Sequence, residues 1–240
     1  MNSTVAFAPA LRELPALLRG ELEATTPWLD RWQRARLGVH VVVILAGAGL
    51  FGAAIGCWRA PLAAFYTALK LPLIIMLTTL GNALLNAMLA PLLGANLSPR
   101  QTLLTILLSF TLASAILGSL SPLLFFVVWN TPPLAAPGAG AGAGYSFLLV
   151  AQTAMIALAG VVANLRLMQM LQRLSGSRAV ARRVMLAWLA GNLLLGSQLA
   201  WNLRPFVGSP GLPVEFLRAN AFQGNFFEAL LRSMRELAGP

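Results

Sequence analysis

The stretch LGVHVVVILAGAGLFGAAIG, residues 37–56, runs for 20 residues without an Asp, Glu, Lys or Arg. A hydrocarbon core about 30 Å thick is crossed by about 20 mainly apolar helical residues. Helix is required there because lipid offers no partner to a main-chain N–H or C=O. The stretch therefore predicts a membrane-spanning helix. Its small residues add a packing pattern, since Gly52 and Gly56 are four apart, as are Gly49 and Ala53. One face of the helix thus allows a neighbouring backbone to approach closely, whether in this chain or in another. His40, near the start of the span, has two readings: a proton relay, or an interfacial ring bonded to water or a headgroup. Relays in membranes need carboxylate or histidine partners. The surrounding residues supply none, which favours the interfacial reading.

The same length rule, moved along the chain, finds four further spans at about 71–93, 102–129, 145–170 and 183–202. The fold class expected is all-α: a polytopic transmembrane helix bundle of about five spans. Residues 1–36 form an amphipathic N-terminal segment, 37–202 the bundle, and 203–240 a tail outside the membrane. Before the second span stands PLAAFYTAL, residues 61–69, set off by Lys70 and expected to lie along the interface before the chain enters the bilayer. Pro122, inside the third span, predicts a kink rather than a stop, with Ser121 able to satisfy the freed carbonyl. TPPLAAPGAGAGAGY, residues 131–145, is an uncharged, flexible connector. Its glycines open a membrane span and lack a following acid, so they are not read as a phosphate loop.

Composition agrees with the spans. Hydrophobic residues make up 58% of the chain and charged residues 10%, with a mean hydropathy of +0.75, values outside the range of soluble domains. No carboxylate occurs between Asp30 and Glu215. The net charge of +10 is read as anchoring beside anionic headgroups rather than as a nucleic-acid surface, because the arginines cluster next to apolar spans. Cys57 is the single cysteine, which excludes an internal disulfide. With one His, one Cys and no acid in the membrane region, a metal site and a cofactor are not expected. Nucleophile triads and paired carboxylates are missing too, so the protein is expected to be non-enzymatic. A buried acid of the kind ion-driven transporters carry is likewise missing.

Orientation follows from the basic residues. A cytoplasmic N-terminus places eleven on the inner side (Arg12, Arg19, Arg31, Arg34, Arg36, Arg100, Arg166, Arg173, Arg178, Arg182 and Arg183) and six on the other (Arg59, Lys70, Arg204, Arg218, Arg232 and Arg235). The uncharged connector then falls outside. The expectation is an integral protein of a bacterial inner membrane, N-terminus in and tail out. Thr26 and Pro27 supply a cap and first turn for the first helix, and Trp28 and Trp32 would anchor it at the headgroups, as Trp201 would anchor the end of the fifth span. Leucines 11, 14, 17, 18 and 22 trace an amphipathic stripe in the N-terminal segment, interrupted by Pro15.

Candidate polar residues are few. Lys70 either faces a water-filled cavity or an anionic lipid, or snorkels to the interface. Asn82, Asn86, Gln152, Asn164, Asn192 and Gln198 either line a polar path or bond across helices as packing contacts. In the tail, Pro205 ends the fifth helix, residues 208–211 form a turn, and Asn225 or Gly224 starts a last helix. Arg204, Phe206, Phe216, Phe222, Phe226 and Phe227 are candidates for docking on a partner. Phenylalanine at this density must otherwise pack on the bundle or enter the headgroup region.

Two blocks carry a resemblance: KLPLIIMLTTLGNALLNAMLAPLLGANLSPRQTL, residues 70–103, and RPFVGSPGLPVEFLRANAFQGNFFEA, residues 204–229. Through Lys70, Pro72, Asn86, Leu97, Ser98, Arg100 and Gln101 in the first, and Arg204, Pro205, Phe206, Gly208, Ser209, Pro210, Asn225, Phe226, Phe227 and Glu228 in the second, the chain resembles uncharacterised bacterial polytopic proteins related loosely to the Yip1 type. That resemblance implies five spans, a cytoplasmic N-terminus and a role in membrane organisation through partner binding. The acidic-aromatic motif of eukaryotic Yip1 proteins is missing, so a GTPase-linked role does not carry over. The function expected is a structural or assembly subunit, partnered by the lipid bilayer and by other membrane subunits or itself. The alternatives are a channel or passive transporter formed by self-association, and lipid handling.

Overall fold

The structure, a computed structural model, describes residue 15 and residues 34–132, 140–206, 213–225, 227 and 228. Its elements are five α-helices: α1 Arg34–Cys57, α2 Pro61–Leu92, α3 Pro99–Trp129, α4 Gly140–Ser175 and α5 Arg178–Leu203. All five are long and apolar enough to cross a membrane. The amphipathic N-terminal segment, Thr26, Pro27, Trp28 and Trp32, the 208–211 turn and the Phe226 side chain lie outside the described residues.

Local chemistry explains where the helices begin and end. α3 opens on a capping box, in which the Ser98 hydroxyl accepts from the Gln101 N–H at 3.2 Å and Gln101 Oε1 accepts from the Ser98 N–H at 3.0 Å. Pro99 occupies the first turn, where its missing N–H is harmless. Gly94, just past the C-cap of α2, holds φ 88°, a left-handed conformation that glycine adopts without a Cβ penalty. Ser177 caps α5 two residues after α4 ends, so these two helices form an antiparallel pair joined by a tight turn.

One expectation is corrected here. Residues 61–69 are not a separate interfacial piece: α2 is continuous from Pro61 to Leu92, with Lys70 and Pro72 in its interior. Pro72 removes the N–H that would bond the Ala68 carbonyl. That carbonyl instead lies against Gly49 of α1, where a Cβ would stand 3.4 Å from it. α3 likewise continues through Pro122. The Ser121 hydroxyl bonds the Leu117 carbonyl at 3.0 Å, one residue short of the Gly118 carbonyl that the proline frees.

α1 packs on both α2 and α3, while α2, α3, α4 and α5 close a ring in which each touches the next. The crossings are made at glycines. A Cβ on Gly47 would collide with the Ser114 carbonyl of α3, and one on Gly118 would meet the Gly47 α-carbon at 2.9 Å. Gly52 and Gly56 face the Thr67 and Ala63 carbonyls of α2 in the same way. The neighbour of the small-residue face is therefore inside this chain. Thr67 adds an interhelical bond, its hydroxyl lying 2.6 Å from the Gly52 carbonyl.

Two large hydrophobic clusters, with a small third of Leu104, Leu108 and Met170, fill the interior. One joins Ile44, Phe51 and Ile55 of α1 to Leu107, Leu117 and Leu124 of α3 and Leu148 and Ala159 of α4. The other, nearer the α4–α5 turn, joins Ala83 and Ala90 of α2 to Leu167 and Leu171 of α4 and Val184 and Trp188 of α5. Large apolar side chains such as Leu84, Met88, Phe126, Val150, Leu165 and Leu193 point outward, as expected where the solvent is lipid. His40 is buried in α1. Its ring is covered by protein rather than open to water or a headgroup.

Candidate functional site

Two polar clusters stand out in this apolar bundle. The first is built on α2 and α5. Asn82 and Asn86 are four apart, which puts both amides on one helix face, and Gly191 of α5 leaves the space that the Asn82 amide occupies. Asn82 Nδ2 donates to Asn192 Oδ1 at 2.5 Å and to the Trp188 carbonyl at 3.3 Å. Asn86 Nδ2 donates to the Asn82 carbonyl at 2.8 Å and to Asn82 Oδ1. Asn82 has no exposed surface, and Asn86 is buried. The amide donors are thus spent on one another and on the main chain of α2 and α5, while Asn86 Oδ1 is buried without a partner among the described residues.

The second cluster lies at the opposite end of α2, under the tail. Lys70 is 6% exposed, and its Nζ donates to the Glu215 main-chain carbonyl at 3.0 Å, a bond spanning 145 residues of sequence. Nζ also lies 5.9 Å from the Tyr66 ring centre and 5.4 Å from that of Phe216, within cation–π range. Tyr66 and Phe216 meet edge to face at 5.5 Å. Across the recess, α5 ends at Arg204, which holds a left-handed φ of 46°. Its Nε donates to the Trp201 carbonyl at 3.2 Å and its guanidinium stacks on the Trp201 ring at 4.7 Å. Burial, and after it the charge of Arg218, push the Arg204 pKa below the usual arginine value. Trp201 Nε1 in turn reaches the Gln223 carbonyl at 3.4 Å. The recess between these groups has a volume of 40 Å³ for water-sized occupants, room for about three waters.

The chain matches no known family model, curated protein or solved structure. Its site is read from its own geometry.

The sequence candidates separate accordingly. Asn82, Asn86 and Asn192 come together. Asn164 turns back on its own helix, donating to the Gly160 carbonyl at 2.8 Å, and Gln198 donates to Asn202 within α5 at 3.2 Å. These two form no interhelical bond of the kind expected for packing amides. Gln152 is fully buried in α4, with neither amide atom bonded among the described residues. Lys70 does not snorkel outward, because the tail covers it. Phe216 packs on Tyr66 of its own chain rather than waiting for a partner, and Phe206 lines the recess. Trp201 is more than an interface anchor, since it clasps the tail. Phe222 is 75% exposed, and Phe227 stands at the start of a helical turn whose cap is Asn225, accepting from the Glu228 N–H at 2.9 Å. Arg59, Tyr66 and Arg218 of the recess were not singled out from sequence. They come from the α1–α2 turn, from α2 and from the tail, and no local pattern in the sequence pairs the tail with α2.

At the same end of the bundle Trp58 Nε1 donates to the Pro132 carbonyl at 3.0 Å, and its ring lies 6.4 Å from that of Tyr145. The start of the uncharged connector is therefore tied to the α1–α2 turn.

Proposed function

We propose that this protein is a non-enzymatic structural or assembly subunit of a larger membrane complex, placed in a bacterial inner membrane with its N-terminus inside. The observation that carries the reading is the direct bonding of Asn82, Asn86 and Asn192. A channel formed by self-association, the alternative, needs those amides to line water. Amides that bond each other at a buried helix crossing act instead as packing contacts. Two features support an assembly role. α4 and α5 bury only 22% of their most apolar windows, against 56% for α1, which leaves most of their surface to lipid or to another subunit. The tail is folded onto the bundle by Lys70 and Trp201, so its exposed Phe222 is presented from a fixed base. The resemblance to Yip1-type proteins points the same way.

The test is purification from native membranes in mild detergent, paired with water accessibility of an Asn192→Cys variant. The assembly reading expects co-purifying membrane proteins in fixed proportion and a thiol at 192 that resists water-soluble maleimide. A monomer running alone with its tail intact, or rapid labelling at 192, would sink it.

A further inference from the structure

We propose that the recess under the tail is a binding site for a phosphate-type oxyanion, supplied by the headgroup of an anionic lipid. The inference does not depend on the assembly reading. Arg59, Lys70, Arg204 and Arg218 all line this one small recess, and Glu215 is the single carboxylate among its lining residues. Lys70 is held there by a neutral carbonyl and two ring faces, which offset its burial without neutralising its charge. Arg204 reaches the recess from a backbone conformation that a residue with a Cβ avoids, and proline follows it. Its guanidinium is fixed in place by Trp201. Like charges gathered in this way repel one another, and a phosphate oxyanion bound among them offsets that repulsion. Guanidinium forks and an ammonium are the groups that bind phosphate oxygens through charge-assisted hydrogen bonds.

Depth and surroundings favour a lipid as the source. Gly56 packs at Ala63 and Gly49 at Pro72, so Lys70 lies within about 10 Å of the outer end of α1 at 1.5 Å per residue, close to headgroup level. Phe65 and Leu69, next to Tyr66 and Lys70 on α2, are exposed apolar side chains at 59% and 48%, available to acyl chains whose phosphate enters the recess.

The experiment uses the full chain in neutral detergent, with phosphatidylglycerol, phosphatidylcholine or inorganic phosphate as probes, read by native mass spectrometry and thermal unfolding. Phosphatidylglycerol is expected to bind in preference to phosphatidylcholine, and Arg218→Gln to weaken that binding about tenfold, the loss of one charged hydrogen bond. Arg183→Gln, exposed at the inner end, should leave it unchanged. Lys70→Met tests the deepest group, and the peripheral Arg218→Gln keeps the test open if Lys70→Met does not fold. Protection by inorganic phosphate that Arg218→Gln abolishes would support the oxyanion site but assign it to a soluble source. Equal binding of both lipids with no phosphate effect, or equal losses in Arg183→Gln and Arg218→Gln, would overturn the proposal.

Discussion

Gly47→Val is expected to destabilise the bundle by about 3 kcal/mol or more, the upper range for overfilling a packed interior. The reason is that the groups in the way are backbone. The first carbon added at 47 runs into the Ser114 carbonyl, and Gly118 meets Gly47 across the same crossing. A flexible side chain can turn aside, whereas a helix backbone moves only if the whole α1–α3 contact opens. Gly118→Val should therefore behave alike. Gly160 is the internal control, since nothing lies within 4 Å of a Cβ added there. Gly160→Ala should be neutral or stabilising by up to about 1 kcal/mol through helix propensity. Unfolding in mixed detergent micelles, followed by far-UV circular dichroism, measures all three. If Gly47→Val and Gly160→Ala unfold at the same denaturant fraction, α1 does not cross α3 as described.

Asn82→Ala is the second large effect, expected at about 2–3 kcal/mol. In membranes an interhelical side-chain hydrogen bond averages about 0.6 kcal/mol, with a maximum near 1.7. Asn82 is the hub of several such contacts. Its removal takes the acceptor from Asn86 Nδ2 and the donor from Asn192 Oδ1 at once. Buried polar groups left unpaired add their own penalty. Asn192→Ala removes one contact from a partly buried site and should lose only about 1 kcal/mol. The double variant should then lose less than the sum of the two singles, because the shared bond is counted in both. Strict additivity would mean that the two amides do not touch.

Much of the architecture was legible because hydrocarbon imposes simple constraints. Run length and missing charge marked five spans, whereas the capping box of Ser98 and Gln101 starts α3 at Pro99, three residues before the expected 102. The misreading at Lys70 and Pro72 has a physical cause. A charge next to a proline normally ends a membrane helix, but here the charge is covered by residues 213–218 and the freed Ala68 carbonyl faces a glycine of α1. Neither compensation is local in sequence. The amide cluster was half visible: the i, i+4 spacing of Asn82 and Asn86 showed a common face, while Asn192 required knowing that α5 returns beside α2. The recess under the tail was least visible, since Arg59, Lys70, Arg204 and Arg218 come from the α1–α2 turn, α2, the end of α5 and the tail, which only the fold unites.

The account stands on an odd number of crossings, which sets Cys57 and the tail on the side opposite the 176–177 turn. Labelling intact cells with a membrane-impermeant maleimide tests this directly, using native Cys57, which is exposed, against a Cys57→Ser/Ser177→Cys variant. The account predicts rapid labelling at 57 and labelling at 177 only after the membrane is opened. Labelling of both positions in intact cells, or of neither, would contradict it.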